Sequence, residues 1–375
     1  MTGPRTRTTG RFTPPDPGPV FTPPRLPAAR CLHALRRLGA LPQRDIAAHT
    51  RLSAATVSRA IRSLTDAGFV EPCPEGRAES RGAGAGAAPG LADDVAEDLA
   101  APPLGRPSQP LCLSTGTYYL GGVAIGTRNT YFALYDLRGR TIVDTYIALD
   151  LSSIPPAEAT QHVVAGVHRL LTLAREHHDP SLSLAALGVS TPGLVSIGGS
   201  VDAAHLHWER LNLREQLSAH FTVPLSIGAA VPAILAAELQ NSPLPDQHSA
   251  EERTAVFYAD DSLGAAIAHP EGLHSVASIP TLAPPGRAED VEFLADMVDL
   301  ILDAPEGPVR TIVLAGQHIT HDARVPHRIA AEVRRRHALP LTFRLIPTHE
   351  EIVRGIARAV ATDSVLRDPL GVSIP

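Results

Sequence analysis

Residues 42–70, PQRDIAAHTRLSAATVSRAIRSLTDAGFV, constrain the fold more than any other stretch. They contain two short helical periods with room between them for only a tight turn. Ser53 stands where the second helix should begin, and its hydroxyl can accept a bond from a free N–H of the first turn. Leu52 just before it and Val57 four residues after it can close a hydrophobic staple. Val57, Ile61 and Leu64, with Ala60 beside them, predict an inward face. Gly68 supplies the stop. The opposite face carries Ala55, Arg59 and Arg62, flanked by Thr56 and Ser58. Small residues let a helix sit deep in the major groove, and Arg reaches a guanine edge or a phosphate. In the preceding helix, Ala47 is small where the two helices must cross. The pattern is that of a helix-turn-helix; an ordinary amphipathic helix pair with a solvated outer face is the plainer alternative. One position departs from the motif: Arg51 occupies the turn, where Gly adopts a left-handed conformation more easily. The residues expected to face DNA are Ser53, Thr56, Ser58, Arg59 and Arg62, with Arg44 and Arg51 on phosphates.

The charge distribution agrees. Residues 1–70 hold eleven Arg against three Asp, a surplus of eight positive charges. The whole chain of 375 residues has a formal net charge of −6, so the other 305 residues carry fourteen negative charges in excess. A basic end on an acidic body is what a DNA-binding domain joined to a body that avoids DNA would show. The length allows two or three domains. There is no apolar run of about 18 residues to span a membrane and no apolar core of a secretory signal near Met1. Cys31, Cys73 and Cys112 are odd in number and have no metal-ligand spacing, so a reduced cytoplasmic setting is expected.

Residues 1–27, rich in Pro, Thr and Arg, read as a disordered arm. Residues 28–39 form a first helix with Cys31, Leu32, Leu35 and Leu38 on one side, and Phe69 and Val70 begin a wing strand. Residues 76–104 are Gly-, Ala- and Pro-rich with an acidic patch, a low-complexity enlargement of the wing tip. The strand-like residues 108–114 return, which puts the winged helix-turn-helix at 28–114. Arg106 in Gly105-Arg106-Pro107 could enter a minor groove; a plain turn accounts for it equally well. From residue 115 the pattern is α/β. Strands are expected over 119–125, 130–136 and 141–149, a helix over 156–176, a strand over 184–190, and a short helix with Trp208 within 207–221. Alternation follows: strand 223–227, helix 231–239, paired strands 254–259 and 264–269, helix 288–302, strand 311–314, helix 326–337, strand 341–345 and helix 349–361.

That order, three strands, a helix and then alternation, given twice, is similar to the two-lobed actin-like ATPase and sugar-kinase fold of the ribonuclease H-like class. With Leu52–Arg59, Ala67–Val70, Gly105-Arg-Pro107, Gly121–Gly126, Val189-Ser-Thr-Pro-Gly193, Val223–Ile227 and Ile312–Gly316 in sequence, residues 30–362 resemble the ROK family of repressors and sugar kinases. The resemblance implies a kinase-like domain over 115–375. It also implies a sugar-side loop in which Ser190, Thr191 and Gly193 would touch an effector, although the same loop also shapes the core.

The chain departs from the family's kinases at several places. Residues 124–129, Ala-Ile-Gly-Thr-Arg-Asn, lack the Asp and second Gly of the family's phosphate loop. Asp260 and Asp261 stand where a second phosphate loop is expected, and carboxylates repel phosphates. Gly228-Ala229-Ala230 replaces the family's Glu-Asn-Asp, so the base that takes the sugar proton is missing. The Cys-rich zinc loop is absent, and Pro280, Pro284 and Pro285 occupy a shortened segment. The expectation is a transcription regulator, a repressor by resemblance, with no catalytic residues, metal or cofactor. It would bind a double-stranded DNA operator as a homodimer or higher oligomer and sense a sugar-like effector. A sugar kinase or sugar-binding protein with a vestigial DNA domain, or an effector-blind scaffold, are the rival readings.

Overall fold

The computed structural model describes residues 21–73, 109–116, 118–242, 253–269, 271–305, 308–337 and 339–372. Three helices open the chain: α1 (Pro27–Leu38), α2 (Gln43–Thr50) and α3 (Ala54–Asp66). Pro27 suits the first turn of α1, where its missing N–H costs nothing, and Arg36 and Arg37 sit in the last turn, favourable to the helix dipole. Cys31, Leu32 and Leu35 are buried as expected, whereas Leu38 is exposed. Strands β1 (Val70–Pro72) and β2 (Leu111–Leu113) pair antiparallel as the base of the wing, and Leu41 bridges to Leu111 beside them. The expected insertion at 76–104, and Arg106, lie outside the described residues.

Next come β3 (Tyr119–Ile125), β4 (Asn129–Tyr135), β5 (Thr141–Ala148), α4 (Pro156–His177), β6 (Leu184–Thr191), β7 (Leu194–Val195), β8 (Ser200–Ala203), β9 (Trp208–Asn212), α5 (Leu213–Ser218), β10 (Leu225–Ala229) and α6 (Ala230–Gln240). The second lobe has β11 (Arg253–Ala259), β12 (Leu263–His269), β13 (Gly272–Ser275), α7 (Val291–Leu302), β14 (Val309–Ala315), α8 (Gln317–Thr320), α9 (Arg324–Arg336), β15 (Thr342–Leu345) and α10 (His349–Arg367). Two five-stranded sheets result, in the orders β10-β6-β3-β4-β5 and β13-β12-β11-β14-β15. Each begins as an antiparallel meander and continues with parallel strands. α4 covers one face of the first sheet, and α7 and α9 one face of the second. On the inner side α10 packs on the first sheet, α6 on the second, and the two helices on each other.

α10 lies so close to its sheet that side chains are excluded. A Cβ on Gly122 would stand 2.2 Å from the Ala357 carbonyl oxygen, and one on Gly188 2.0 Å from that of Val360.

Trp208 is not in a helix. It is buried on β9, in a small sheet of order β7-β8-β9, and the short helix α5 follows. Arg210 has φ 47°, and Val201 pairs with Leu211 while Ala203 pairs with Trp208. This bulge places two residues, Glu209 and Arg210, opposite one, Asp202. Trp208 and Leu211 therefore share the inward side at a spacing of three, which mimics a helical period.

The winged helix and the body share one hydrophobic core, which contains Leu32, Leu35, Val57 and Leu64 together with Tyr118, Val360, Val365 and Leu366. Polar contacts reinforce the junction. The Tyr118 hydroxyl donates to the Ala67 carbonyl, and its ring stacks on Phe69 at 4.1 Å. Arg36 donates to the Gln240 carbonyl at 3.4 Å. Residues 21–27, assigned by composition to a disordered arm, are instead held in place among the described residues, beginning with Phe21. That ring is buried, and its N–H donates to Asp363 at 2.8 Å. A buried aromatic ring and a bond to a buried carboxylate hold this segment, which a composition rich in Pro and Thr does not reveal.

Candidate nucleic-acid interface

α3 starts as its sequence requires. Ser53 is extended (φ −63°, ψ 150°), and its Oγ accepts from the Thr56 N–H at 3.2 Å. The Thr56 hydroxyl lies 2.8 Å from the same Oγ, so these two side chains lock each other at the helix start. Val57, Ala60, Ile61 and Leu64 are buried, and Leu52 packs against the same core. The outward face presents exposed Ala55, Arg59 and Arg62, with Thr56 and Ser58 half-buried at its edges. No acidic residue interrupts that face before Asp66. The result is a narrow, cationic ridge with small residues at its tip, a shape a major groove can accept.

α2 supports α3 from behind. Ile46 is fully buried. The Thr50 hydroxyl bonds back to the Ile46 carbonyl at 2.6 Å, and Arg30 donates to the Thr50 carbonyl at 2.5 Å. Arg44 is exposed on the first turn of α2 and pairs with exposed Asp45 at 3.2 Å. An exposed pair of this kind contributes little and can open to a phosphate. Arg51 ends α2 in the left-handed conformation, φ 54° and ψ 33°, at the position where the sequence departs from the motif.

The second candidate cluster lies in the first lobe. Ser190 sits near the end of β6, between Ala124 of β3 and Gly228 of β10. It is buried, and its hydroxyl has no hydrogen-bond partner among the described residues. Thr191 is fully buried and turns its hydroxyl to the Pro192 carbonyl at 3.2 Å. Gly193 has φ 88°, and a Cβ there would meet the Asp202 carbonyl oxygen at 2.2 Å, so this residue seats the β7–β8 hairpin. α6 begins directly after β10, with Ala229 as an N-cap that offers no side-chain bond.

Across the body, the β11–β12 turn brings Asp260 together with side chains from elsewhere in the chain. Its carboxylate accepts from the Tyr258 hydroxyl at 3.3 Å and the Asp261 N–H at 3.0 Å, and it faces His349, the first residue of α10, at 3.5 Å. Burial, the largest single influence, would raise the Asp260 pKa, but the hydrogen bond and charge of His349 and the backbone N–H groups of Asp261 and Gln317 together hold it below the usual carboxylate range. The same hydrogen bond raises the His349 pKa against the opposing effect of its burial. Sequence reasoning marked Asp260 and Asp261 but not His349, because nothing local ties the start of α10 to the β11–β12 turn. Among the described residues, no group of three His, Cys, Asp or Glu side chains is placed to hold a metal ion.

Residues 22–79 match the MarR family model. Over 266 residues the chain is 28% identical to a transcriptional regulator of Mycobacterium bovis, covering 68% of this chain and 52% of that protein, and a transcriptional regulator of Mycobacterium tuberculosis matches to the same extent. The chain thus spans about half the length of these curated relatives. The fold is similar to a crystal structure described as a ROK family transcriptional regulator, a homologue of the Escherichia coli MLC protein. The TM-score is 0.62 at 15% identity, over 91% of this chain and 97% of that one.

Proposed function

We propose that this chain, which has the fold of a ROK family transcriptional regulator and a MarR-type winged helix at its N-terminal end, is a DNA-binding regulator of transcription. The observation that carries this reading is the exposed ridge of α3, where Arg59 and Arg62 stand beside small residues on a capped helix. Arg59 and Arg62 would read base edges, with Ser53, Thr56 and Ser58 at the groove wall. Arg44 and Arg51 would hold phosphates, which position the protein without carrying sequence information. Similarity to proteins named as transcriptional regulators supports the same reading.

The body would act without catalysis. Asp260 lies where the family resemblance puts a phosphate-binding turn, and its carboxylate already takes bonds from Tyr258 and Asp261 there. No carboxylate follows β10 to act as a base. ATP-dependent phosphorylation of a hexose by the purified chain would overturn this part. The body would instead dimerise the protein, placing two α3 helices about 34–36 Å apart on a palindromic operator, and would sense an effector near Ser190. Repression is the sign that the family resemblance suggests. No helix among the described residues is long and apolar enough to cross a membrane, in keeping with a cytoplasmic setting.

The test is binding to the DNA upstream of the protein's own gene across a salt series, with Arg59→Ala and Arg62→Ala alongside. Specific binding should weaken steeply with salt, and removing a base-reading Arg should cost about 1–3 kcal/mol. Binding with no sequence preference, unchanged in both variants, would refute the reading.

A further inference from the structure

Cys73 and Cys112 meet at the base of the wing. Cys112 lies in β2 opposite Glu71 of β1. The pairing runs on past the end of β1, where the Cys73 N–H donates to the Pro110 carbonyl at 2.8 Å. Side chains alternate along a strand, so Cys73, two residues after Glu71, shares a face with Cys112. The two are diagonal neighbours across the ladder. Their thiols touch, with the Cys112 S–H donating to the Cys73 sulfur. Both side chains are buried, and neither is in a disulfide. The third cysteine, Cys31, is fully buried on α1, away from this ladder.

The two sulfurs have different surroundings. Burial first, and then the hydrogen bond to Cys73, push the Cys112 pKa up to about 11, against the opposing charge of Arg138 in the β4–β5 turn. Cys112 therefore keeps its proton. Cys73 receives that hydrogen bond at the end of β1, so it is the sulfur placed to attack, with a proton donor beside it. The ladder that shields them is short, at three residues in each strand. A two-stranded ladder is marginal by itself, and such elements open locally at low free energy. Opening gives a small oxidant access to both thiols at once.

We propose that Cys73 and Cys112 are a dithiol–disulfide couple at the base of the wing, oxidised by a hydroperoxide. The Cys73 sulfur, having given up its proton, attacks a peroxide oxygen. The O–O bond breaks, and the leaving oxygen takes a proton and departs as an alcohol, or as water from hydrogen peroxide. The Cys112 sulfur then attacks Cys73, the new S–O bond breaks, and hydroxide leaves as water with the Cys112 proton. Two thiols have lost two electrons to one peroxide.

The bond would change the shape of the wing base. Diagonal neighbours have Cα atoms about 7–8 Å apart, whereas a disulfide usually spans at most about 6.8 Å, so joining them draws β1 along β2. Directly before β1, the Phe69 carbonyl accepts from the Ser114 N–H at 2.9 Å, and the Phe69 ring stacks on Tyr118. Tyr118 in turn donates to Ala67 at the end of α3. A shift of β1 thus reaches the last turn of α3. An effect on operator binding rests on the DNA-binding reading above; the couple itself does not.

The experiment treats the full chain with hydrogen peroxide, then maps disulfides by peptide mass without reduction, beside Cys31→Ala, Cys73→Ala and Cys112→Ala. Expected is the loss of two hydrogen atoms from a Cys73–Cys112 peptide pair in the unaltered chain and in Cys31→Ala. The other two variants should not form it, and a thiol reductant should reverse it. Operator affinity should fall about tenfold on oxidation, within the usual range for coupling between two sites, and stay unchanged in Cys73→Ala. Thiols that remain reduced, a bond that involves Cys31, or a disulfide between two chains would overturn the proposal. A Cys73–Cys112 bond that forms while neither redox state binds DNA would uphold the couple and refute the DNA-binding reading instead.

Discussion

His33 brings a neutral imidazole into the joint between α1 and α6. Burial pushes its pKa down to about 4, against the pull of the Ser242 carbonyl and with the help of Arg36 and Arg37. The folded pKa thus lies below the unfolded value of about 6.5. At neutral pH both states hold the imidazole uncharged. As pH falls below about 6.5 the unfolded chain takes a proton that the folded chain refuses, so stability drops, with a slope approaching 1.4 kcal/mol per pH unit, roughly the value for one proton. His33→Gln, which can keep a donor for Ser242, should remove that slope when urea unfolding is followed from pH 7 to pH 4.5; an unchanged slope would assign the proton elsewhere. His349 has the opposite sign. Its folded pKa is raised, so while Asp260 stays ionised their pairing stabilises in full below the unfolded value of about 6.5 and fades as pH rises through the raised value. Ser53 and Thr56 were legible as a cap from sequence, because capping is a matter of three adjacent residues. The His33 environment was not, because its partner, Ser242, lies just beyond the end of α6, far along the chain.

α3 depends on its cap for its first turn and on its core face for the rest. Ser53→Ala leaves the Thr56 N–H without its acceptor and should cost about 1 kcal/mol, read as a shift in the denaturant midpoint, with weaker DNA binding as that turn frays. No change in either measurement would mean the cap is redundant. At α10 the constraint is steric. Gly188→Ala would drive a methyl group into the Val360 carbonyl, where neither the sheet nor the helix backbone can yield easily. Overpacking in a close-packed core typically costs about 1–3 kcal/mol, and a loss near the top of that range is expected by thermal or chemical unfolding. A neutral result would show that α10 can lift off β6. Most helices and central strands were recoverable from periodicity, since their buried sides repeat at helical or strand spacing. The β9 bulge defeated the same method by shifting Leu211 onto a helix-like interval.

At the scale of the molecule, the shared core argues against a loosely tethered DNA-binding head. Leu32 and Leu35 of α1 belong to the same cluster as Val360, Val365 and Leu366 at the other end of the chain, and Phe21 is tied to Asp363. Because apolar burial is the dominant favourable term in folding, elements that share a core should unfold together. Calorimetry of the full chain should therefore give one transition involving both units. A separate, lower transition that disappears with Asp363→Asn would show the joint to be weaker than its contacts suggest.

The sequence by itself determined the helix-turn-helix, the order of the main strands and long helices of the body, and the split between a basic end and an acidic body. These depend on local spacing, capping chemistry and residue counts, which can be read without the fold. Tertiary structure alone decided the rest. It placed His349 against Asp260, buried Phe21 beneath the end of α10, and pressed α10 onto Gly122 and Gly188. Each of these joins residues that are distant along the chain or on separate elements, and no local pattern records which surfaces meet when the two lobes and the winged helix close on a common core.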